Sequence, residues 1–364
     1  MLIVDAHLDL AWNALQWRRD LRRTAVEIRT SERALDGHGW GHGTVALPEL
    51  RQGNIAVAIG TLLARCTGVP EENLDYATVA EANAVARGQL AWYGALDRDG
   101  HAVVLKDVDA LHTHVACWRT WEAEPQRSQP PLGLVLSMEG ADPITTPDEL
   151  AAWRDAGLRI IGLSHYGTGR YAGGTGTQSG LTDLGRALLD AMRVLGVALD
   201  LTHLTDAGMS EALELWGGPI LASHSNVRTL VPHDRQLSDA QILAVAERGG
   251  VVGVALDCWM LSGWGSPAGA VGLPPPDLDS NPVLLRRVID HVDYVCQLTG
   301  SSGHVGIGSD LDGGFGREQS PRDLDTIADL QLLAGHLRDR GYREDDVAAV
   351  MHGNWLRLLA HCLA

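Results

Sequence analysis

The chain has 364 residues, 45% of them hydrophobic and 21% charged, which is ordinary for a globular protein able to bury a large core. Its formal charge of -17 at pH 7 argues against nucleic acid and anionic membrane as partners, since both demand a basic surface. Cys66, Cys117, Cys258, Cys296 and Cys362 are scattered and lack CxxC spacing, and the start "MLIVDAH" is no basic, apolar leader, so the expectation is reduced thiols in a cytoplasmic protein.

The first predicted strand is Leu2–His7, with Asp5, His7 and Asp9 alternating at its end. A second, Ile55–Leu62, precedes the helical pattern "TVAEANAVARGQLAWYGAL". Leu132–Glu139 and Leu158–Leu163 follow, the latter leading into His165 and the glycine-rich "YAGGTGTQSG". That stretch lacks the Lys and Ser/Thr of a phosphate loop and reads as a flexible rim loop. A helix capped at Thr182 or Ser179 closes on Gly196 and leads into the strand Val197–His203. Pro219–His224 precedes Arg235 and a helix that starts at a Ser238 cap and stops at Gly249–Gly250. The last two strands are Val251–Leu256, followed by Asp257 and an inert, buried Cys258, and Val305–Asp310.

Strands apolar throughout are strands covered on both faces, and their alternation with helices predicts one (β/α)8 TIM-type barrel domain over 1–364. The carboxy-terminal "GYREDDVAAVMHGNWLRLLAHCLA" reads as a small helical closing segment. Arg29–Gly43 and Ser262–Pro282 are too long for plain connectors and read as lid loops or subunit contacts.

Active sites of such barrels gather at the carboxyl ends of the strands. There stand His7, Asp9, Glu139, His203 and His224, a set of imidazoles and carboxylates suited to two hydrophilic metal ions. Glu139 offers one oxygen to each ion, and Asp5 competes with its neighbours for the first ion. Asp310 ends the last strand and adds a further carboxylate. His165 either faces the mouth as an electrophile or is a loop histidine bonded to backbone. Arg235 either clamps a substrate carboxylate or makes a surface salt bridge. The remaining histidines read as solvated or packing residues.

Taken together, "DAHLDL", "SMEG", "LSHYG", "GLTDLGRALLDAMRVLGVALDLTHL", "ILASHSNVR", "RQLSDAQILAVAERGGVVGV", "HVGIGSDLDGG" and "HGNWLRLL" cover nearly the whole chain, and the chain resembles the membrane (renal) dipeptidase family of zinc-dependent dipeptidases among the amidohydrolase-like barrels. The resemblance implies two zinc ions per subunit, one on His7, Asp9 and Glu139, the other on Glu139, His203 and His224. It implies that His165 contacts the scissile carbonyl, that Arg235 binds the substrate carboxylate, and that Asp310 handles the proton and the substrate amine. It also implies a homodimer. Where many members carry an Asn-Phe-Tyr-like stretch this chain reads "VALDCWML", which makes Asp257 a substrate-facing residue that repels a carboxylate or welcomes a cation.

The resulting expectation is a dipeptidase whose substrates include dipeptides with a D-residue at the carboxyl end, using a water shared by the two ions. Another binuclear-zinc amidohydrolase, acting on N-acyl amino acids, cyclic amides or esters, is the alternative. A non-catalytic peptide-binding barrel is a third reading.

Overall fold

The aliphatic runs become nine parallel strands among the described residues: β1 (Ile3–Leu8), β2 (Ile55–Leu63), β3 (Ala102–Val104), β4 (Leu132–Glu139), β5 (Leu158–Gly162), β6 (Ala198–Asp200), β7 (Ile220–Leu221), β8 (Val252–Val254) and β9 (Val305–Ile307). The structure, a computed structural model, describes residues 1–35, 37, 39–69, 71–265 and 280–364. Eight strands are hydrogen-bonded in the order β7-β6-β5-β4-β2-β1-β9-β8, and a parallel bridge between Ala222 and Val252 joins the two ends into a barrel. These are the eight strands expected from the sequence. The ninth, β3, is only three residues long and pairs with the start of β4.

Inside the barrel, alternate residues of successive strands form an apolar layer of Val4, Ala6, Val57, Ile59, Val135, Ile160, Ala198, Leu221 and Val251. The carboxy-terminal helix Asn354–Cys362 packs Trp355, Leu358 and Leu359 against this layer and plugs the barrel at the amino ends of its strands. Asn354 pins that helix by donating to the carbonyls of Ser302 and Val305 at 2.6 and 2.8 Å. Gly306 makes room for the plug, since a Cβ there would lie 2.3 Å from Trp355 Nε1.

Helices start where their sequence offers a cap. Thr24, Thr78 and Ser238 each form a capping box, at Ala25–Glu32, Val79–Arg98 and Asp239–Glu247. Thr182, not Ser179, caps Asp183–Leu195, and Gly196 ends it with a left-handed φ of 65°.

Two expectations need correction. The proposed lid over Arg29–Gly43 begins inside the helix Ala25–Glu32, where Arg29 pairs with Asp325 at 2.9 Å and Glu32 with Arg19 at 2.8 Å. Arg29 and Glu32 are buried, so the first four residues of the segment belong to a packed helix and not to a loop. The glycine-rich stretch after β5 is also packed: Tyr171, Ala172 and Thr175 are buried, and a Cβ on Gly174 would lie 1.8 Å from the His165 carbonyl oxygen. Its glycines allow close backbone approach rather than flexibility. Most of the second proposed lid, 266–279 within Ser262–Pro282, lies outside the described residues.

Candidate metal centre

At the carboxyl ends of the strands the interior changes from aliphatic to ionisable. Along β4 the inward set runs Val135, Ser137, Glu139, so simple alternation carries the glutamate into the mouth. His7 arrives differently. Asp5 pairs with Ala58 and Leu8 with Gly60, three steps on β1 against two on β2, which is a bulge. Val4 and Ala6 face the interior below it, and the extra residue swings His7 inward above it.

The bulge also settles the competition from Asp5. Its Oδ1 accepts from the backbone N–H groups of His7 at 3.2 Å and Ser309 at 2.8 Å, tying β1 to the end of β9. Asp5 is thus a brace behind His7. Asp200 plays the same part between β6 and β7, accepting from Thr202 N and Ser223 N at 3.0 Å each.

His203 would point outward if the alternation of β6 continued. Its φ of 69°, in the left-handed region, turns the ring into the mouth instead. Asp310, with φ of 58°, is delivered by a similar turn. That turn is held by Asp312, whose carboxylate accepts from Thr44 N and Thr44 Oγ1 at 2.7 Å each and from Val45 N at 3.0 Å.

The residues converge on Glu139. Its Oε1 lies 3.2 Å from His203 Nε2 and 3.3 Å from His224 Nε2, and its Oε2 lies 3.3 Å from His7 Nε2. His7 Nε2 is 3.6 Å from Asp9 Oδ2 and 3.7 Å from Asp310 Oδ1. His165 Nε2 stands 3.6 Å from Glu139 Oε1. Three groups are compact enough to hold a cation: His7, Glu139 and His224; Glu139, His165 and His203; and His7, Asp9 and Asp310. Geometry therefore brings all five expected ligands together, with His165 and Asp310 beside them.

The donor set fits divalent metal ions. His7 Nε2 and Glu139 Oε2 are buried without a hydrogen-bond partner among the described residues, an expensive condition that coordination relieves. Burial, and then the cationic groups around them, holds His203 and His224 well below the usual imidazole range, which leaves neutral rings with a lone pair. At His7 burial also opposes the charged ring, but Glu139 and Asp9 outweigh it and raise the pKa well above its ordinary value. Burial likewise raises Glu139 and Asp310, with neighbouring carboxylates adding to the effect. The cluster as a whole favours a positive charge at its centre.

Arg235 is buried, and no carboxylate lies within ion-pairing distance of it among the described residues. The surface salt bridge considered for it is therefore excluded. It donates to the His224 carbonyl at 2.8 Å and to Ser225 Oγ at 3.2 Å, which leaves part of the guanidinium uncommitted. Tyr166 was missed in the sequence; its hydroxyl lies within the influence of Arg235, Asp257 and Asp310. Its signal was its position, next to His165 beyond a strand end. Asp257 is buried, takes both of its Gln319 contacts at 2.8–3.0 Å, and caps the helix Cys258–Ser262. Burial pushes its carboxyl up to about 7. Burial pushes the Cys258 thiol up as well, in keeping with an inert cysteine.

Other missed residues hold the ligands from behind. Thr61 donates its hydroxyl to Asp9, Thr175 Oγ1 lies 3.0 Å from His203 Nδ1, and Ser223 Oγ lies 2.9 Å from His224 Nδ1.

The sequence model of the membrane dipeptidase family (peptidase family M19) matches residues 1–362. The chain belongs to this family of peptide-bond hydrolases. It is 30% identical over 252 residues, 67% of this chain and 87% of its relative, to an uncharacterized protein in the pqqA 5' region of Klebsiella pneumoniae. It is 28% identical over 235 residues to the dipeptidase aclJ of Aspergillus oryzae, a match covering 62% of this chain and 50% of the fungal protein. The fold is shared by a metallo-peptidase from Rhodobacter sphaeroides solved with a phosphinate mimic of the dipeptide L-Ala-D-Ala: TM-score 0.75, 23% identity, covering 100% of this chain and 99% of that one.

Proposed function

We propose that the protein is a zinc-dependent dipeptidase that hydrolyses the amide bond of dipeptides, including those with a D-residue at the carboxyl end. One observation carries this reading: the Glu139 carboxylate lies between His7 on one oxygen and His203 and His224 on the other, at 3.2–3.3 Å. One zinc ion would be held by His7, Asp9 and Glu139, and a second by Glu139, His203 and His224. Imidazole and carboxylate donors without thiolate suit zinc in a hydrolytic site. The D-residue is supported by the ligand of the Rhodobacter sphaeroides metallo-peptidase.

When bound, the ions supply Lewis acidity and bring the pKa of water towards neutrality. The chain's own residues do the rest. The His165 Nε2 edge faces the cluster and donates to the carbonyl oxygen of the scissile amide as negative charge develops there. Arg235 is a buried cation with no carboxylate paired to it among the described residues, and it receives the terminal carboxylate of the substrate, with the Tyr166 hydroxyl alongside. Asp310, facing His7 across 3.7 Å, takes the proton from water and passes it to the leaving amine. A free carboxyl end bound at one point and the scissile carbonyl at another fix the length of substrate that fits.

The test is a panel assay on zinc-loaded and chelated protein, using dipeptides of both configurations at the carboxyl residue beside N-acyl amino acids, lactams and esters. Turnover of dipeptides that chelation abolishes is the expected result. Hydrolysis confined to the other substrates would make the protein a different amidohydrolase, and dipeptide binding without turnover would make it a binding protein.

A further inference from the structure

Three imidazoles face Glu139 Oε1 at similar distances, from 3.2 to 3.6 Å, so distance alone does not separate ligands from hydrogen-bond donors. What lies behind each ring does. The Nδ1 atoms of His203 and His224 meet hydroxyls, Thr175 Oγ1 at 3.0 Å and Ser223 Oγ at 2.9 Å. A hydroxyl can accept, and each has another group to donate to: Thr175 the His203 carbonyl at 3.4 Å, Ser223 the Thr202 hydroxyl at 3.3 Å. These two rings can carry their proton on Nδ1 and present a lone pair from Nε2.

Behind His165 stands Arg65. Its Nη1 is 3.2 Å from His165 Nδ1, and a guanidinium has only donors. An imidazolium there would set N–H against N–H, as would the Nδ1–H tautomer. The neutral ring must therefore accept at Nδ1 and carry its proton on Nε2. A protonated Nε2 has no lone pair for a metal. It stands 3.6 Å from Glu139 Oε1, too far for a hydrogen bond, so among the described residues its N–H has no acceptor and can serve a third group in the mouth.

We infer that Arg65 is a positioning residue that fixes His165 as a hydrogen-bond donor to the substrate carbonyl and keeps it out of the metal shell. Arg65 is itself immobilised. It is buried just beyond β2, its Nη2 binds Glu71, and its Nε lies 3.3 Å from Asp75 Oδ2. Asp75 is held in turn by Thr67 N at 3.0 Å and Thr67 Oγ1 at 2.5 Å. Backbone bonds from Arg65 N to Leu74 O and from Tyr76 N to Arg65 O, each 2.9 Å, close this loop on itself. The loop is thus a rigid mount for one guanidinium.

The decisive experiment is nitrogen-15 NMR of histidine-labelled protein, metal-free and zinc-loaded, with His165 assigned by its loss in His165→Asn. The inference predicts the proton on Nε2 in both states; a proton on Nδ1, or loss of the Nε2 proton on adding zinc, would overturn it. In kinetics, Arg65→Met should lower kcat about 10²-fold, the scale of one lost oxyanion donor, with KM and zinc content near wild type. Arg65→Lys, which keeps a donor-only group, should recover part of that loss while restoring the Nε2 proton signal. A methionine variant with wild-type kcat would also overturn the inference. The kinetic arm rests on the dipeptidase reading. Should wild-type protein turn over no dipeptide, that reading fails and the NMR result still decides the role of Arg65.

Discussion

At the floor of the barrel, Val4, Val57, Val135, Ala198 and Leu221 pack against Leu358 and Leu359, side chains that ask only to be kept from water. A few residues further along the same strands stand His7, Glu139, His203 and His224, buried as deeply and leaving unpaired atoms behind. The aliphatic layer at the floor follows alternation along its strands. The mouth uses a bulge at His7 and left-handed residues at His203 and Asp310 to aim its side chains. The left-handed residues His203 and Asp310 and the unpaired atoms of His7 and Glu139 suit a mouth built for a ligand, and the apolar layer below supplies stability that tolerates them.

Substitutions at the two ends should therefore fail in different ways. The largest effect is expected for Glu139→Gln, which removes the oxygen charge common to both ligand sets: zinc content by elemental assay should fall below two per chain. Turnover should drop by roughly 10³–10⁴, the worth of several kcal/mol of metal assistance. Asp310→Asn should keep its metal yet lose roughly 10²–10⁴ in kcat, the usual scale of acid–base catalysis. Metal loss in this variant would recast Asp310 as a ligand, the role allowed by its grouping with His7 and Asp9.

At the floor, Trp355→Ala should cost about 3–5 kcal/mol in denaturant unfolding while the folded fraction keeps its zinc and its kcat. A variant that loses zinc in proportion to stability would erase the contrast between the ends.

The smallest effect concerns Asp257 and pH. Its carboxyl is raised from 3.8 to about 7 by burial, so the folded state holds a proton that the unfolded state releases. Stability from this group is fully present below about pH 4 and is lost as pH rises towards and through 7. Asp257→Asn should remove that dependence, gaining up to about 4 kcal/mol on the wild type between pH 4 and 8. Parallel stability curves for the two proteins would show that Gln319 keeps Asp257 an ordinary carboxylate.

The sequence makes the scaffold legible because strands covered on both faces must be apolar throughout, and all eight barrel strands read that way. Glu139 was readable too, since alternation along β4 carries it inward. His7 pointed to the right place, but the bulge that aims it, and that demotes Asp5 to a brace, depends on register against β2. The left-handed turns at His203 and Asp310 have only a weak local signature, since histidine and aspartate tolerate that region better than most residues but adopt it far less readily than glycine. Arg65 and Thr175 matter through contacts with rings distant in sequence, which no spacing along the chain encodes, whereas Ser223 backs the ring of its neighbour His224. The stretch Tyr171–Gly180 shows the opposite error: glycines read as flexibility admit the close packing that brings Thr175 to His203.

Zinc-edge anomalous diffraction from zinc-soaked crystals tests the central claim most directly. Two peaks should flank Glu139, one beside His7 and Asp9 and the other beside His203 and His224, with His165 outside both coordination shells. A single peak, or a zinc ion bound through His165 Nε2, would contradict the account.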